Sequence, residues 1–99
     1  MPLKDGKVGI GIVGARFAAE LHSTAYSRCP DARLVAVCSN RPGEAEEFAA
    51  KFDIERTYSD YRDMLLDPDV DLVSICVPNF LHYEVAMACC EAGKPVVCE

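Results

Sequence analysis

The hydrophobic residues of this chain form two kinds of segment, which alternate along the sequence. Short apolar runs without strict polar alternation predict strands that are buried on both faces of a sheet. These five runs are 7–13, 34–38, 57–58, 70–77 and 95–98, of which the third is very short. The segments between them space their apolar residues three or four positions apart, which predicts helices that each bury one face.

Four helices are predicted between the strands. They cover 17–28, a segment opened by Pro42-Gly43, 60–66 with Asp60 as N-cap, and 81–92 before a capping Gly93. Three of them carry an apolar stripe. These stripes are Phe17, Leu21 and Ala25; Ala45, Phe48, Ala49 and Phe52; and Leu81, Val85, Ala88 and Ala92. Strands that alternate with single helices predict an α/β fold, a doubly wound parallel sheet with strand order 3-2-1-4-5.

Composition and charge narrow the classes of protein that this chain can belong to. A formal net charge of -6 in 99 residues, with the cations scattered, argues against a nucleic-acid or anionic-membrane surface. The six cysteines include no Cys-x-x-Cys pair, so we expect core thiols and no metal site. Without a signal segment or an apolar run of roughly 20 residues, the sequence favours a cytoplasmic protein that does not span a membrane.

Residues 8–16 hold a glycine pattern that admits two registers. Gly9-x-Gly11-x-x-Gly14 matches the dinucleotide fingerprint, but its first two glycines lie inside the first predicted strand, where they let neighbouring backbone approach. We therefore start the functional register at Gly14, with Ala19 in place of the third glycine. Arg16 replaces the second glycine, so either its side chain pairs with a phosphate or the site is impaired. By itself this turn fits a plain strand–helix junction equally well.

The end of the second strand bears on which dinucleotide would bind. NAD-binding proteins of this topology place an acidic residue there for the ribose hydroxyls, whereas this chain has Ser39-Asn40-Arg41. An arginine without a neighbouring carboxylate favours NADP over NAD. Arg41 can equally be a solvated loop cation. The carboxylates of Glu44, Glu46 and Glu47 are interpreted as the solvated start of a helix.

Two later segments carry a resemblance to a known family. Pro78-Asn79-Phe80-Leu81-His82 follows the fourth strand, and residues 91–99, Glu-Ala-Gly-Lys-Pro-Val-Val-Cys-Glu, run into the fifth. Together with Leu21-His22, Asp60-Tyr61 and Asp69-Val70-Asp71, they resemble the Rossmann-type coenzyme domain of the glucose–fructose oxidoreductase/inositol dehydrogenase family. The resemblance covers about residues 7 to 99, so 1–99 is interpreted as an NAD(P)-binding domain truncated before a C-terminal α+β substrate domain.

The resemblance implies roles for particular residues. The residues implied to bind the pyrophosphate are Gly14, Ala15, Arg16, Phe17 and Ala18. Those implied to face the adenosine ribose are Ser39, Asn40 and Arg41. The switch point would be lined by Val77, Pro78, Asn79 and His82, and the nicotinamide ribose would be approached by Glu99. The family's catalytic lysine would follow Glu99, so no catalytic residue is expected within 1–99. The implied reaction is hydride transfer between a nicotinamide cofactor and a sugar, polyol or related carbonyl compound, in a parent that forms homo-oligomers.

Other interpretations of the same residues remain open. His82 can be a helix-start histidine bonded to backbone, Asn79 a helix cap, and Glu99 a solvated strand-end carboxylate. We interpret His22 as structural. The alternative function is a non-catalytic regulatory protein that binds a dinucleotide through the same fold.

Overall fold

The computed structural model describes residues 6–77 and 79–98, without the side chains of Asn79, Phe80 and Cys98. Pro78 and Glu99 of the predicted site therefore lie outside the described residues. Within these described residues, nine strands and helices alternate. They are β1 (Val8–Val13), α1 (Phe17–Ser27), β2 (Ala32–Cys38), α2 (Glu44–Phe52), β3 (Arg56–Tyr58), α3 (Tyr61–Met64), β4 (Leu72–Ile75), α4 (Asn79–Glu91) and β5 (Val96–Cys98).

The five strands form one parallel sheet in the order β3-β2-β1-β4-β5, which confirms the predicted topology. The strand ends differ from the predicted ones by a few residues. β4 is shorter than the predicted 70–77 because its ladder to β1 pairs only Leu72 to Ile75. β2 begins two residues early because Ala32 already pairs with Val8.

The glycines of β1 allow a second layer to pack closely against the sheet. Ile10 and Ile12 face the α1 and α2 side, in one buried cluster with Ala19 and Phe48. A Cβ on Gly11 would lie 3.0 Å from Met64 Cε, whose side chain is fully buried on the opposite face. The prediction that these glycines belong to the strand interior and admit neighbouring groups is therefore confirmed.

The predicted apolar face of α1 is wrong, because Phe17, Leu21 and Ala25 all point away from the sheet. Phe17 is 75% exposed and Leu21 is 55% exposed. The helix instead buries Ala19 and Ser23. Ala19 packs in one buried cluster with Ile10 and Ile12 of β1, so the face that turns inward carries small side chains and not the large apolar ones.

The other helices follow the predicted pattern more closely. α2 buries Ala45, Phe48 and Ala49, as expected. α4 buries Val85 and Cys89, whereas Ala92, predicted to face inward, is exposed. The reason is that α4 ends at Glu91, so Ala92 already lies in the turn that leads to β5.

The turn after β1 has a backbone conformation that requires glycine. Gly14 has φ +108°, and a Cβ at this position would collide with the carbonyl oxygen of Cys76. Its amide donates to the carbonyl of Cys38 over 2.8 Å, and the amide of Cys76 donates to the carbonyl of Val13, also over 2.8 Å. The ends of β1, β2 and β4 therefore converge on one residue.

A buried carboxylate joins β3 to the loop before β4. The side chain of Asp67 is 3% exposed and accepts hydrogen bonds from Arg56 Nη1 (2.9 Å) and Tyr58 OH (2.8 Å). Burial by itself raises the pKa of Asp67. The hydrogen bonds from the Asp69 amide, Tyr58 and Arg56, with the attraction of the guanidinium, outweigh burial and leave the pKa below its usual value. Lys94 contacts the same loop, with Nζ 3.2 Å from the carbonyl oxygen of Asp67.

We expect Gly14→Ala to destabilise the fold more than Gly93→Ala. Gly93 also has a positive φ of +74°, but a Cβ there meets nothing within 4 Å, so its substitution carries only the backbone cost of about 1–2 kcal/mol. Gly14→Ala adds the collision with Cys76. Thermal and urea unfolding of both variants measures the difference. Equal losses of stability would show that the turn relaxes without cost.

We expect Asp67→Asn to lower the free energy of unfolding by about 1–3 kcal/mol at neutral pH, because Arg56 and Tyr58, both partly buried, lose a charged acceptor. Since the folded-state pKa of Asp67 is lowered, its contribution is present above the unfolded-state pKa and is lost as pH falls through the folded-state value. The difference between wild type and variant should therefore shrink in acid. Urea unfolding from pH 7 downward measures this change.

Glu55→Gln is the matched control for Asp67→Asn. The Glu55 side chain is 82% exposed and lies 4.0 Å from Arg56 Nε, so it reaches the same arginine from solvent. An exposed pair contributes little to stability, so this variant should unfold like the wild type. If Glu55→Gln lowered the free energy of unfolding as much as Asp67→Asn, burial of the Asp67 carboxylate would not explain its contribution to stability.

Candidate functional site

A cleft of about 580 Å³ opens at the carboxyl ends of the central strands. It lies where the connection from β1 goes to one side of the sheet and that from β4 to the other, which is the usual ligand position in such sheets. Its lining residues follow β1, β2, β3 and β4. They are Val13, Gly14, Ala15, Arg16, Cys38, Ser39, Asn40, Arg41, Glu44, Ser59, Asp60, Tyr61, Arg62, Cys76, Val77, Leu81, Glu84 and Val85.

The amino terminus of α1 lies at one end of this cleft. The amide of Glu20 makes the first turn of the helix by donating to the carbonyl of Arg16 over 3.0 Å. By helix geometry, the amides from Arg16 to Ala19 precede that bond and have no partner within the helix. Arg16 is extended and its side chain makes no cap, so this end of α1 can offer N–H groups and a positive dipole to an anion.

The end of β2 carries a hydrogen-bonded group that the sequence did not predict. The Ser39 hydroxyl donates to Glu44 Oε1 over 2.6 Å and accepts from the amide of Arg41 over 3.2 Å. Glu44 Oε2 lies 3.7 Å from Arg16 Nε. The predicted helix-start position of Glu44, Glu46 and Glu47 is confirmed, and Glu46 and Glu47 are exposed. The interpretation of Glu44 as solvated is wrong, since its side chain is only 26% exposed and lines the cleft.

A smaller depression continues the cleft beyond β2. Asn40, Arg41 and Glu46 contribute to it, together with Tyr58 from β3. Asn40 and Arg41 are both exposed. The turn therefore offers one cation, Arg41, at the outer end of the cleft, where its attraction for an anion is screened by solvent.

The opposite wall of the cleft comes from α3 and α4. Tyr61 OH donates to Glu84 Oε2 over 2.7 Å, and Arg62 Nη2 lies 3.6 Å from the same oxygen. Asp60 caps α3 by accepting from the Arg62 amide over 2.9 Å, as the sequence predicts. The charged groups on this wall are thus engaged with one another.

The structure brings together seven of the thirteen residues proposed for the site. These are Gly14, Ala15, Arg16, Ser39, Asn40, Arg41 and Val77. Phe17, Ala18 and His82 lie outside the lining, and Phe17 points to solvent. His82 Nε2 is 2.6 Å from the carbonyl oxygen of Val77, which matches the interpretation of a histidine bonded to backbone. The side chain of Asn79, like Pro78 and Glu99, lies outside the described residues.

The histidine of α1 is part of a polar cluster behind the cleft. His22 Nδ1 lies 2.7 Å from Ser74 Oγ on β4 and 3.5 Å from Cys76 Sγ, and Tyr26 OH donates to Ser74 over 3.2 Å. This cluster ties α1 to β4 and supports the structural interpretation of His22.

The thiol of Cys38 also lies in the cleft wall. Burial, followed by the nearby charges of Asp60 and Asp63, raises the pKa of Cys38 to about 12. A thiol with so high a pKa stays protonated and unreactive at neutral pH. Cys38, Cys76 and Cys89 are buried, as expected of core cysteines, whereas Cys29 and Cys90 are exposed, so the expectation is wrong for these two.

Within the described part of the chain, no group of three or more metal-ligating side chains occurs. No helix within residues 6–77 and 79–98 is long and apolar enough to cross a membrane.

Known proteins share both the sequence pattern and the fold. Residues 8–99 match the family model described as an oxidoreductase family with an NAD-binding Rossmann fold. Levoglucosan dehydrogenase from Pseudarthrobacter phenanthrenivorans is 38% identical over 93% of this chain and 26% of its own length. The chain thus spans about a quarter of that curated relative.

Two solved structures show the fold with different coenzymes. Scyllo-inositol dehydrogenase from Lactobacillus casei, with NAD(H) and scyllo-inositol, superposes with a TM-score of 0.85 at 29% identity over 93% of this chain and 27% of that one. Biliverdin reductase from Synechocystis sp. PCC 6803, with biliverdin and NADP+, has a TM-score of 0.84 at 33% identity over 92% of this chain and 28% of that one.

The family match covers residues 8–99, almost the whole chain, and the strand order β3-β2-β1-β4-β5 is that of a Rossmann fold. The chain belongs to the glucose–fructose oxidoreductase/inositol dehydrogenase family of oxidoreductases and forms its NAD-binding Rossmann domain.

Proposed function

We propose that this chain is the coenzyme domain of a protein that transfers hydride between a nicotinamide dinucleotide and a sugar, polyol or related carbonyl compound. The cleft at the switch point, with the amino terminus of α1 at one end, is the observation that carries this proposal. The named activities of the relatives, on levoglucosan and on scyllo-inositol, support the substrate class.

The described residues fit a dinucleotide on physical grounds. The absence of a Cβ at Gly14 lets the turn after β1 approach the end of β4 closely. The helix amides that follow the turn are donors from which a pyrophosphate would accept hydrogen bonds. Ala15 and Arg16 would bind beside them, with Phe17 and Ala18 contributing through their backbone. When bound, the nicotinamide ring supplies the chemistry by accepting or giving a hydride.

The remaining assignments follow the length of the cleft. Ser39, Asn40 and Arg41 would face the adenosine ribose, and Val77 would line the switch point with Pro78, Asn79 and His82. Glu99 would approach the nicotinamide ribose, and the catalytic lysine would follow it. We propose that the substrate site is formed by a second domain that is not part of 1–99, in a cytoplasmic homo-oligomer.

The choice between NADP and NAD is the finer part of this proposal. The sequence favours NADP, because Arg41 can pair with a 2′-phosphate. Glu44 disfavours NADP, since its carboxylate lies in the same part of the cleft and would repel a 2′-phosphate. Relatives of this fold include complexes with each coenzyme, so the fold itself accommodates both.

Calorimetry of the full-length protein with NADH and with NADPH tests the binding proposal. We expect at least one of them to bind, and we expect that coenzyme to be reduced or oxidised in the presence of a panel of sugars and polyols. No heat from either dinucleotide at millimolar concentration would refute the proposal. Binding without turnover on any panel member would favour the regulatory alternative.

We expect Arg41→Ala to weaken NADPH binding by roughly tenfold and to leave NADH binding nearly unchanged, since only NADPH carries a 2′-phosphate. Arg28→Ala is the control, because Arg28 is exposed at the carboxyl end of α1, away from the cleft. Dissociation constants from calorimetry give the comparison. Equal losses for both coenzymes would show that Arg41 does not contact the 2′ position.

A further inference from the structure

We infer that Glu44 is the residue that selects the coenzyme, and that it selects NAD over NADP. This inference rests on the proposed function, and it reverses the coenzyme preference drawn from Arg41. The sequence has no acidic residue directly at the end of β2. In the folded chain, the carboxylate of Glu44, five residues after Ser39, takes that position.

The turn between β2 and α2 brings Glu44 to this position. Gly43 has φ +79° and the amide of Glu44 donates to the carbonyl of Arg41 over 3.2 Å, so the chain reverses before α2 begins. The first helical residue therefore points back toward the end of β2. Its carboxylate is 2.6 Å from the Ser39 hydroxyl, at the place where NAD-binding sheets of this topology hold their acidic residue.

The hydrogen bonds of Glu44 leave it able to accept more donors. One oxygen accepts from Ser39, and the other lies 3.7 Å from Arg16 Nε. A carboxylate has about four lone-pair sites, so capacity remains for the two hydroxyl groups of an adenosine ribose. Those hydroxyls are neutral donors, and a carboxylate accepts hydrogen bonds from them favourably.

The same carboxylate opposes a 2′-phosphate. A phosphate monoester carries a charge of about −1.5 to −2 at pH 7, and it has no strong donor to give to Glu44. The attraction by Arg41 is weaker than this repulsion because Arg41 is exposed to solvent, whereas the Glu44 side chain is only 26% exposed. Arg16 lies 3.7 Å from the other oxygen of Glu44, but its side chain is 59% exposed, so it offsets little of the carboxylate's charge. The balance of the three charges therefore favours NAD.

Glu44→Gln tests this inference in the full-length protein. Glutamine keeps the shape and can still bond to Ser39, but it removes the negative charge. Glu47→Gln is the matched control, since Glu47 lies in the first turn of the same helix, is exposed and does not line the cleft. Calorimetry or nicotinamide fluorescence gives the dissociation constants of NADH and NADPH for the three proteins.

We expect the wild type to bind NADH more tightly than NADPH, and Glu44→Gln to shift the ratio of the two constants toward NADPH by about tenfold or more. Glu47→Gln should leave the ratio unchanged. A wild type that prefers NADPH, or a ratio that does not move in Glu44→Gln, would overturn the inference while the proposed function stands. If neither coenzyme binds the wild type, the proposed function fails and the inference with it.

Discussion

The contact between Gly14 and the end of β4 is the constraint on which the site depends. A Cβ on Gly14 would collide with the carbonyl oxygen of Cys76, so only glycine allows this approach, and the amide of Gly14 donates to the carbonyl of Cys38 at the end of β2. Three strand ends are thus held together by one residue without a side chain. This contact fixes where α1 starts, at the end of the cleft that Gly14, Ala15 and Arg16 line.

The two layers on either side of the sheet follow from the same strand. β1 alternates isoleucines, which pack against α1 and α2, with glycines, which admit Met64 and the loop before β4. The two helical layers meet at the cleft, where α2 contributes Glu44 and α4 contributes Glu84. Residues far apart in the sequence therefore share one cavity because their helices start at the same edge of the sheet.

Much of the fold could be predicted because it depends on local pattern. The apolar runs gave the five strands, and Pro42-Gly43, Asp60 and Gly93 indicated helix ends through their backbone preferences. The turn at Gly14 was predictable for the same reason, since its φ of +108° excludes other residues. The buried face of α1 was not, because the spacing of Phe17 and Leu21 says nothing of how close the helix lies to β1.

The features of the candidate site likewise fall into those that the sequence predicts and those that the folded structure sets. The sequence by itself determined the topology, the position of the first turn and the absence of an acid at the end of β2, since each depends on residues that are neighbours in the chain. Only the tertiary structure placed Glu44 beside Ser39 and Arg16, because a charged residue at a helix start looks solvated until the turn before it is folded. The charge that a bound ribose would meet is therefore a property of the fold and not of the motif.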